Sequence, residues 1–116
     1  YQYMFQGCSS LTTAPELPAT ELSDNCYQCM FESCTSLTKA PKLPAITLAY
    51  HCYHWMFRNC TSLNYVNMMA TDIDYYRHSQ NWLDSVSETG TFVKNIEATW
   101  PDSNGVIPEG WRVKTE

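Results

Sequence analysis

Three cysteines in the first third of the chain, Cys26, Cys29 and Cys34, are spaced C-x2-C-x4-C. Many zinc knuckles and iron–sulfur loops begin with such a spacing, because a metal ion needs several thiolates in one place. No further ligand follows at a fixed offset, since the three histidines are scattered along the chain. A metal site is therefore one interpretation of these cysteines, and the rest of the sequence must support or weaken it.

An internal repeat explains the same cysteines differently. The segment MFESCTSL has two close copies, one beginning at Met4 and the other at Met56. Residues 11–36 and 37–62 share 15 identities in 26 positions without a gap. So strict a period is typical of a chain built from similar units. Cys29 has no counterpart in the other copies, where Tyr3 and Trp55 stand at its position, so the C-x2-C pair occurs only once. We therefore predict no bound metal and no cofactor.

The recurring cysteines still admit two interpretations. Free cysteine packs as a small apolar residue, and equivalent residues of adjacent units are expected to lie over one another in a core. The same placement brings equivalent thiols within range of a disulfide, and a bridge within one unit, such as Cys26 to Cys34, is a further alternative. Within-unit bridges would leave Cys8 and Cys29 without partners. The pattern favours buried free thiols.

Each unit divides into two halves. Apolar residues at helical spacing run from Leu22 to Cys34 and again from Leu48 to Cys60, and each run predicts a short helix. The other half, LTTAPELP or LTKAPKLP, predicts a short strand interrupted by Pro15 or Pro41. One strand and one short helix per unit is the arrangement of a leucine-rich repeat. We therefore predict an α/β repeat fold, a leucine-rich-repeat-like right-handed solenoid with short parallel strands and short helices.

The repeat weakens toward the C-terminus. Residues 1–89 are predicted to hold the repeats, and residues 90–116 are predicted to form a C-terminal cap of altered sequence. Such a cap is needed where a stack of units would otherwise expose its apolar end to water. Because the first copy begins within a unit, we expect the chain to be a piece of a longer protein.

Composition and charge exclude several classes of function. Twelve acidic and seven basic residues give a net charge of −5, and no basic run occurs, so a nucleic-acid partner is not expected. No stretch approaches the ~18 apolar residues of a membrane helix, so we predict no membrane span. No G-x-S-x-G elbow or glycine-rich phosphate loop is present, and we predict that the chain is not an enzyme.

The segment CYQCMFESCTSLTKAPKLP, residues 26–44, resembles the leucine-rich repeats of BspA-like surface proteins of gut and oral anaerobic bacteria. The resemblance covers residues 1–70 best, and the ending from NWLDSV onward is similar to the terminal segment of such proteins. Ala-Pro stands where that family has β-branched strand residues. The resemblance implies an extracellular or cell-surface adhesion module, sometimes carried by phages, without catalytic residues. Anaerobic habitats also exert little pressure for disulfides.

A binding module recognising a host or bacterial surface protein or a glycan is the function that this sequence favours. Positions that differ between copies escape the constraints of a shared core, and large aromatic side chains at such positions suit partner contact. The predicted ligand-binding residues are Tyr50, His54, Trp55, Tyr75 and Tyr76. Two packing alternatives stay open: Trp55 covers the next unit, and Tyr75 packs on the cap. The alternative function is a structural spacer of a larger surface or phage tail-fibre protein.

Overall fold

The computed structural model describes residues 3–17, 19–101 and 105–116, with the backbone alone at Tyr76. Its regular elements within these ranges are three strands and one short helix. They are β1 (Tyr65–Met68), α1 (Tyr75–His78), β2 (Thr91–Lys94) and β3 (Arg112–Thr115). The strands form one parallel sheet in the order β1-β2-β3, with Tyr65 opposite Thr91 and Thr91 opposite Arg112.

The predicted fold class, an α/β leucine-rich-repeat-like right-handed solenoid with short parallel strands and short helices, is wrong. The described chain is compact and has almost no helix, and its one sheet contains three short strands. The two segments predicted as helices, 22–34 and 48–60, contain turns instead. The single helix has four residues and lies outside both segments.

Left-handed backbone conformations are the reason why these two segments are not helical. Positive φ angles recur at every fourth residue: 59° at Asn25, 56° at Cys29 and 63° at Ser33, then 54° at His51, 56° at Trp55 and 63° at Asn59. A right-handed helix cannot continue through such residues. Tight turns replace it, as where the Met30 N–H bonds to the Tyr27 carbonyl three residues earlier, at 3.1 Å. A turn every four residues spaces apolar side chains almost as a helix does.

Alternate N–H groups in these turns bond to the matching turns of the next copy. The Tyr27 N–H donates to the Cys52 carbonyl at 3.1 Å, and the Phe31 N–H donates to the Met56 carbonyl at 2.9 Å. The intervening N–H groups are used within the turns, so the backbone donors are satisfied in two directions. Equivalent residues of successive copies therefore lie next to one another.

Stacked aromatic rings fill the space behind the turns. Phe5, Phe31 and Phe57 follow one another with ring centroids 5.4 and 5.5 Å apart. Tyr53 stacks on Trp82 at 5.6 Å, and the Trp82 Nε1–H donates to the Val106 carbonyl at 2.9 Å. Rings at such distances contribute about 0.5–1.5 kcal/mol per pair beyond the apolar area they bury. The recurring aromatic of each copy is therefore a core residue.

Leu11, Leu37 and Leu63 occupy one position of the repeat frame at the start of the strand halves. Leu37 and Leu63 are fully buried, whereas Leu11 is partly buried against the same core. The first two strand halves make only isolated bridges, Thr13 to Lys39 and Leu43 to Met68. Continuous pairing begins at β1.

β2 and β3 belong to residues 90–116, the predicted cap. Trp111 lies against Gly90, where an added Cβ would approach its ring to 2.6 Å and the Asn64 carbonyl to 2.7 Å. The Trp111 Nε1–H donates to the Ser87 carbonyl at 2.9 Å. The division at residue 90 stays a prediction. In the part of the chain that the structure describes, no helix is long and apolar enough to cross a membrane.

Candidate functional site

Five planar side chains of the second copy stack in sequence on the surface of the turns. The ring centroids of Tyr50 and His51 are 3.8 Å apart, those of His51 and His54 4.3 Å, and those of His54 and Trp55 4.8 Å. The Arg58 guanidinium lies over the Trp55 ring at 5.5 Å from its centroid. We call these five residues the ring row.

The turns create the ring row. His51 and Trp55 have positive φ angles, and the N–H groups of His54 and Arg58 bond back to their carbonyls at 3.2 and 3.3 Å. Each turn therefore places side chains three or four residues apart beside one another. The first copy makes the same turns with Asn25, Gln28, Cys29 and Glu32 at the matching positions. It builds no comparable stack from these smaller and non-aromatic side chains.

Exposure divides the ring row into members that meet solvent and members that support them. Tyr50 is 49% exposed at one end of the row, and Trp55 and Arg58 are half-buried at the other end. His54 is 6% exposed, and its Nε2 is 2.9 Å from Oε1 of Gln80. His54 therefore holds its neighbours in place, and the accessible surface comes from the other four side chains.

Two carboxylates fix the ends of the ring row. Asp24 accepts a hydrogen bond from the Tyr50 backbone N–H at 3.2 Å. Glu32 forms an ion pair with Arg58, with Oε2 3.6 Å from Nε. Both carboxylates belong to the preceding copy, so the first set of turns acts as a scaffold for side chains of the second.

Burial lowers the pKa of two histidines, His51 in the ring row and His78 at the end of α1. Desolvation, followed by the charge of neighbouring His54, lowers the pKa of His51, while Asp24 acts in the opposite direction. Desolvation and then the charge of Arg77 lower the pKa of His78, whose Nδ1 accepts a hydrogen bond from the Asp74 N–H at 3.1 Å. Both imidazoles are consequently held toward the neutral form.

Tyr75, predicted as a binding residue, lies against other groups. Its hydroxyl donates to Oδ1 of Asn81 at 3.1 Å and accepts from the Asn81 N–H at 3.2 Å. An added Cβ at Gly105 would lie 3.3 Å from its ring. These contacts agree with the alternative in which Tyr75 packs on residues 90–116. The side chain of Tyr76 lies outside the described part of the chain.

The cysteines are free thiols, and Cys29, Cys34, Cys52 and Cys60 are buried. The Cys34 thiol donates to the Phe5 carbonyl at 3.1 Å, and the Cys60 thiol donates to the Phe31 carbonyl at 3.0 Å. The recurring cysteine therefore forms a hydrogen bond to the preceding copy as well as filling space. Valine in its place would fill the volume without donating.

Burial also makes several of these thiols weaker acids than free cysteine. Burial raises the pKa of Cys29 to about 11, and that of Cys52 and Cys60 to about 12. Zinc and iron–sulfur clusters require thiolates. Among the described residues, no group of three or more His, Cys, Asp or Glu side chains could hold a metal ion. The absence of a metal at Cys26, Cys29 and Cys34 stays a prediction for elemental analysis.

Sequence reasoning missed two members of the ring row, His51 and Arg58. Both differ in type from their counterparts Asn25 and Glu32, and that difference was the available signal. Their stacking depends on left-handed φ angles at residues that are not glycine. Such angles cannot be predicted from the amino-acid types.

The chain matches no protein-family model, no curated protein and no solved structure. The resemblance to BspA-like surface proteins therefore stays a prediction made from residues 26–44 and their copies. The contacts of the ring row are the basis for the function proposed next.

Proposed function

We propose that the chain is a non-enzymatic binding module of a bacterial cell-surface or secreted protein. Its ring row contacts a host or bacterial surface protein or a glycan. The observation that carries this proposal is the stack from Tyr50 to Arg58, in which exposed and half-buried planar groups contact one another and are held at the two ends by Asp24 and Glu32.

Rigid aromatic surfaces favour association for a physical reason. Side chains that are already ordered lose less conformational entropy when a partner packs on them. Tyr, Trp and Arg are also the residue types enriched at binding hot spots. Tyr50, Trp55 and Arg58 supply one of each type along a single line. Their contact area is largest when a partner lies along the whole row.

The test is binding to an array of purified glycans and extracellular-matrix proteins, repeated with Tyr50→Ala and Trp55→Ala. Each substitution should weaken binding of the captured partner by at least about fivefold, which corresponds to a loss of about 1 kcal/mol. Tyr3→Ala is the matched control, since Tyr3 is 48% exposed and lies outside the row. Unchanged binding by both row variants would disprove the proposal.

A structural component of a larger surface or phage tail-fibre protein is the second candidate. The regular backbone hydrogen bonds between copies favour it, since Phe5 bonds to Met30 and Phe31 to Met56 at the same 2.9 Å. A spacer requires regular bonding between copies, but it does not require an exposed row of aromatic side chains. Loss of a full-length protein's adhesion by ring-row substitutions that leave its assembly intact would decide for the binding module.

A further inference from the structure

Basic residues are concentrated on the strand side of this acidic protein. The chain has seven Lys and Arg residues in total and a net charge of −5. Four of them belong to the strand halves and project from the surface: Lys39, Lys42, Arg112 and Lys114. None of the four forms an ion pair with a described carboxylate.

Strand pairing lines these cations up across the sheet. Tyr65, Thr91 and Arg112 are directly opposite one another on β1, β2 and β3. Lys39 continues the line beyond β1, because its ammonium group lies 4.9 Å from the centroid of the Tyr65 ring. At the usual spacing of neighbouring strands, Lys39 and Arg112 are about 14 Å apart. We call this line, with Lys42 and Lys114 beside its ends, the cationic line.

Two surface grooves follow the cationic line and meet at Tyr65. One has a volume of about 640 Å³ and runs from Asn64 and Tyr65 to Arg112. The other has a volume of about 300 Å³ and is lined by Lys39 and Lys42 as well as Tyr65. No described carboxylate lines either groove. A negatively charged chain lying in both would meet a cation at each end and no repulsive charge between.

We propose that the cationic line binds an acidic polysaccharide whose negative charges are sugar carboxylates. The Arg112 guanidinium can take a carboxylate through two parallel hydrogen bonds, and the lysines add charge at the opposite end. Between these ends, Thr91, Thr89 and Asn64 present hydroxyl and amide groups that match sugar hydroxyls. The Tyr65 ring, with the Lys39 ammonium over it, lies where the two grooves meet.

The lining of the grooves favours a polysaccharide over an acidic protein segment. Protein partners are held by large apolar anchors. The exposed large apolar residues of the described chain lie elsewhere: Tyr3, Met4, Ile46, Tyr50 and Ile96. A carboxylate is favoured over a sulfate because four cations are spread along the line, and the grooves between them are lined by neutral hydrogen-bonding groups such as Thr91 and Asn64. Polysulfates depend instead on dense positive charge.

The experiment is titration of the whole chain with size-defined oligogalacturonate, a polymer of one acidic sugar. Its fully methyl-esterified form is the matched neutral ligand. Oligogalacturonate should bind, the ester should bind at least about tenfold more weakly, and raising NaCl from about 0.05 to about 0.3 M should weaken binding. Equal binding of the acid and the ester would overturn the proposal.

Variants identify the surface that binds. Lys39→Gln and Arg112→Gln should each weaken oligogalacturonate binding by about tenfold, the effect of removing a charge-assisted hydrogen bond. Arg77→Gln is the control, because it removes the same charge from an exposed residue of α1. Lys114→Gln is an independent second test at an exposed position of β3, with melting temperatures reporting that each variant is folded. Equal weakening by Arg77→Gln would overturn the assignment.

Two competing ligands complete the test. Tighter binding of polyglutamate than of oligogalacturonate would replace the polysaccharide with an acidic protein segment, and tighter binding of a sulfated glycan would replace the carboxylate. Either result overturns the proposal. The Trp55→Ala variant should bind oligogalacturonate normally, because the ring row lies on the turns. The two proposals can therefore fail independently, because each is tested by variants on its own surface.

Discussion

The turns of the first copy, residues 23–34, and those of the second, residues 49–60, have the same backbone conformation but different side chains on their surfaces. Their left-handed residues match one for one, and their N–H groups bond in the same pattern. Yet the second copy carries the ring row, whereas the first has no aromatic side chain at the matching positions. Buried residues common to both copies therefore set the backbone, and the positions that differ set the chemistry.

The largest expected effect comes from the shared core. Phe31 and Phe57 are fully buried and stack on each other at 5.5 Å, so replacing either with alanine leaves a cavity. Each substitution should lower the free energy of unfolding by about 3–5 kcal/mol in denaturant titrations. The two losses should be similar if the copies share one core. A loss below about 1 kcal/mol at either position would show that the copies differ internally.

A smaller loss of stability is expected at the recurring cysteine, whose burial differs between copies. Cys60 is fully buried and its thiol donates to the Phe31 carbonyl, whereas its counterpart Cys8 is exposed. We expect Cys60→Ala to destabilise the protein by about 1–2 kcal/mol through lost packing and the loss of one of the two hydrogen bonds that the Phe31 carbonyl accepts. Cys8→Ala is the control and should change stability by less than about 0.5 kcal/mol. If Cys60→Ala and Cys8→Ala changed the free energy of unfolding equally, the Cys60 hydrogen bond would not contribute to stability.

Acid should affect the second copy more than the first, because only the second contains histidine. Burial lowers the folded-state pKa of His51, so below the ordinary histidine pKa of about 6.5 the unfolded chain takes up a proton first. Stability is therefore complete above that pH and falls as the pH drops toward the folded-state pKa. Unfolding measured at about pH 7.5 and 5.5 should show this loss.

The variant His51→Asn installs the residue of the first copy, Asn25, and isolates this effect from carboxylate protonation. It should reduce the loss of stability between the two pH values. The remaining dependence is expected to come from His78, whose pKa is also lowered by burial. An unchanged pH dependence in His51→Asn would mean that His51 is as easily protonated in the fold as outside it.

The two copies also show which parts of the structure the sequence could predict. The period of the repeat reappears in the pairing of Thr13 with Lys39 and of Tyr65 with Thr91. The apolar stripe from Leu22 to Cys34 was misassigned to a helix, because turns of four residues imitate the 3.6-residue period. Periodicity alone cannot separate the two, since the deciding feature is a left-handed φ at residues such as Cys29.

Proline explains why the strand halves differ along the chain. Pro41 has no N–H to donate, and the strand halves around it make single bridges. The bridge between the first two halves joins residues 26 apart, Thr13 and Lys39, whereas the bridge between the next two joins residues 25 apart, Leu43 and Met68. β1 contains Tyr-Val-Asn-Met without proline and pairs continuously with β2. The sequence predicted that proline would shorten these strands. The difference in spacing between the two bridges depends on contacts between copies that no single segment reveals.

The sequence predicted which of the candidate site residues lie together better than it predicted which of them are exposed. Tyr50, His54 and Trp55 do lie together, but His54 is buried and acts as a support. A histidine at a variable position looks the same in the sequence whether it is covered or exposed. The decisive contact is with Gln80, which occupies the matching position of the following unit, and it follows from the pairing of the copies.

The smallest expected effect on stability is at the open end of the ring row. Tyr50 is 49% exposed and stacks on His51, so Tyr50→Ala removes one half-solvated contact and creates no cavity. The free energy of unfolding should change by no more than about 0.5 kcal/mol, as for surface substitutions in general. Tyr3→Ala, at nearly equal exposure, should give a comparable change. If Tyr50→Ala cost several times more than Tyr3→Ala, the row would be part of the core that both copies share. A negligible loss of stability combined with a loss of partner binding would instead show that the second copy uses its variable positions for recognition.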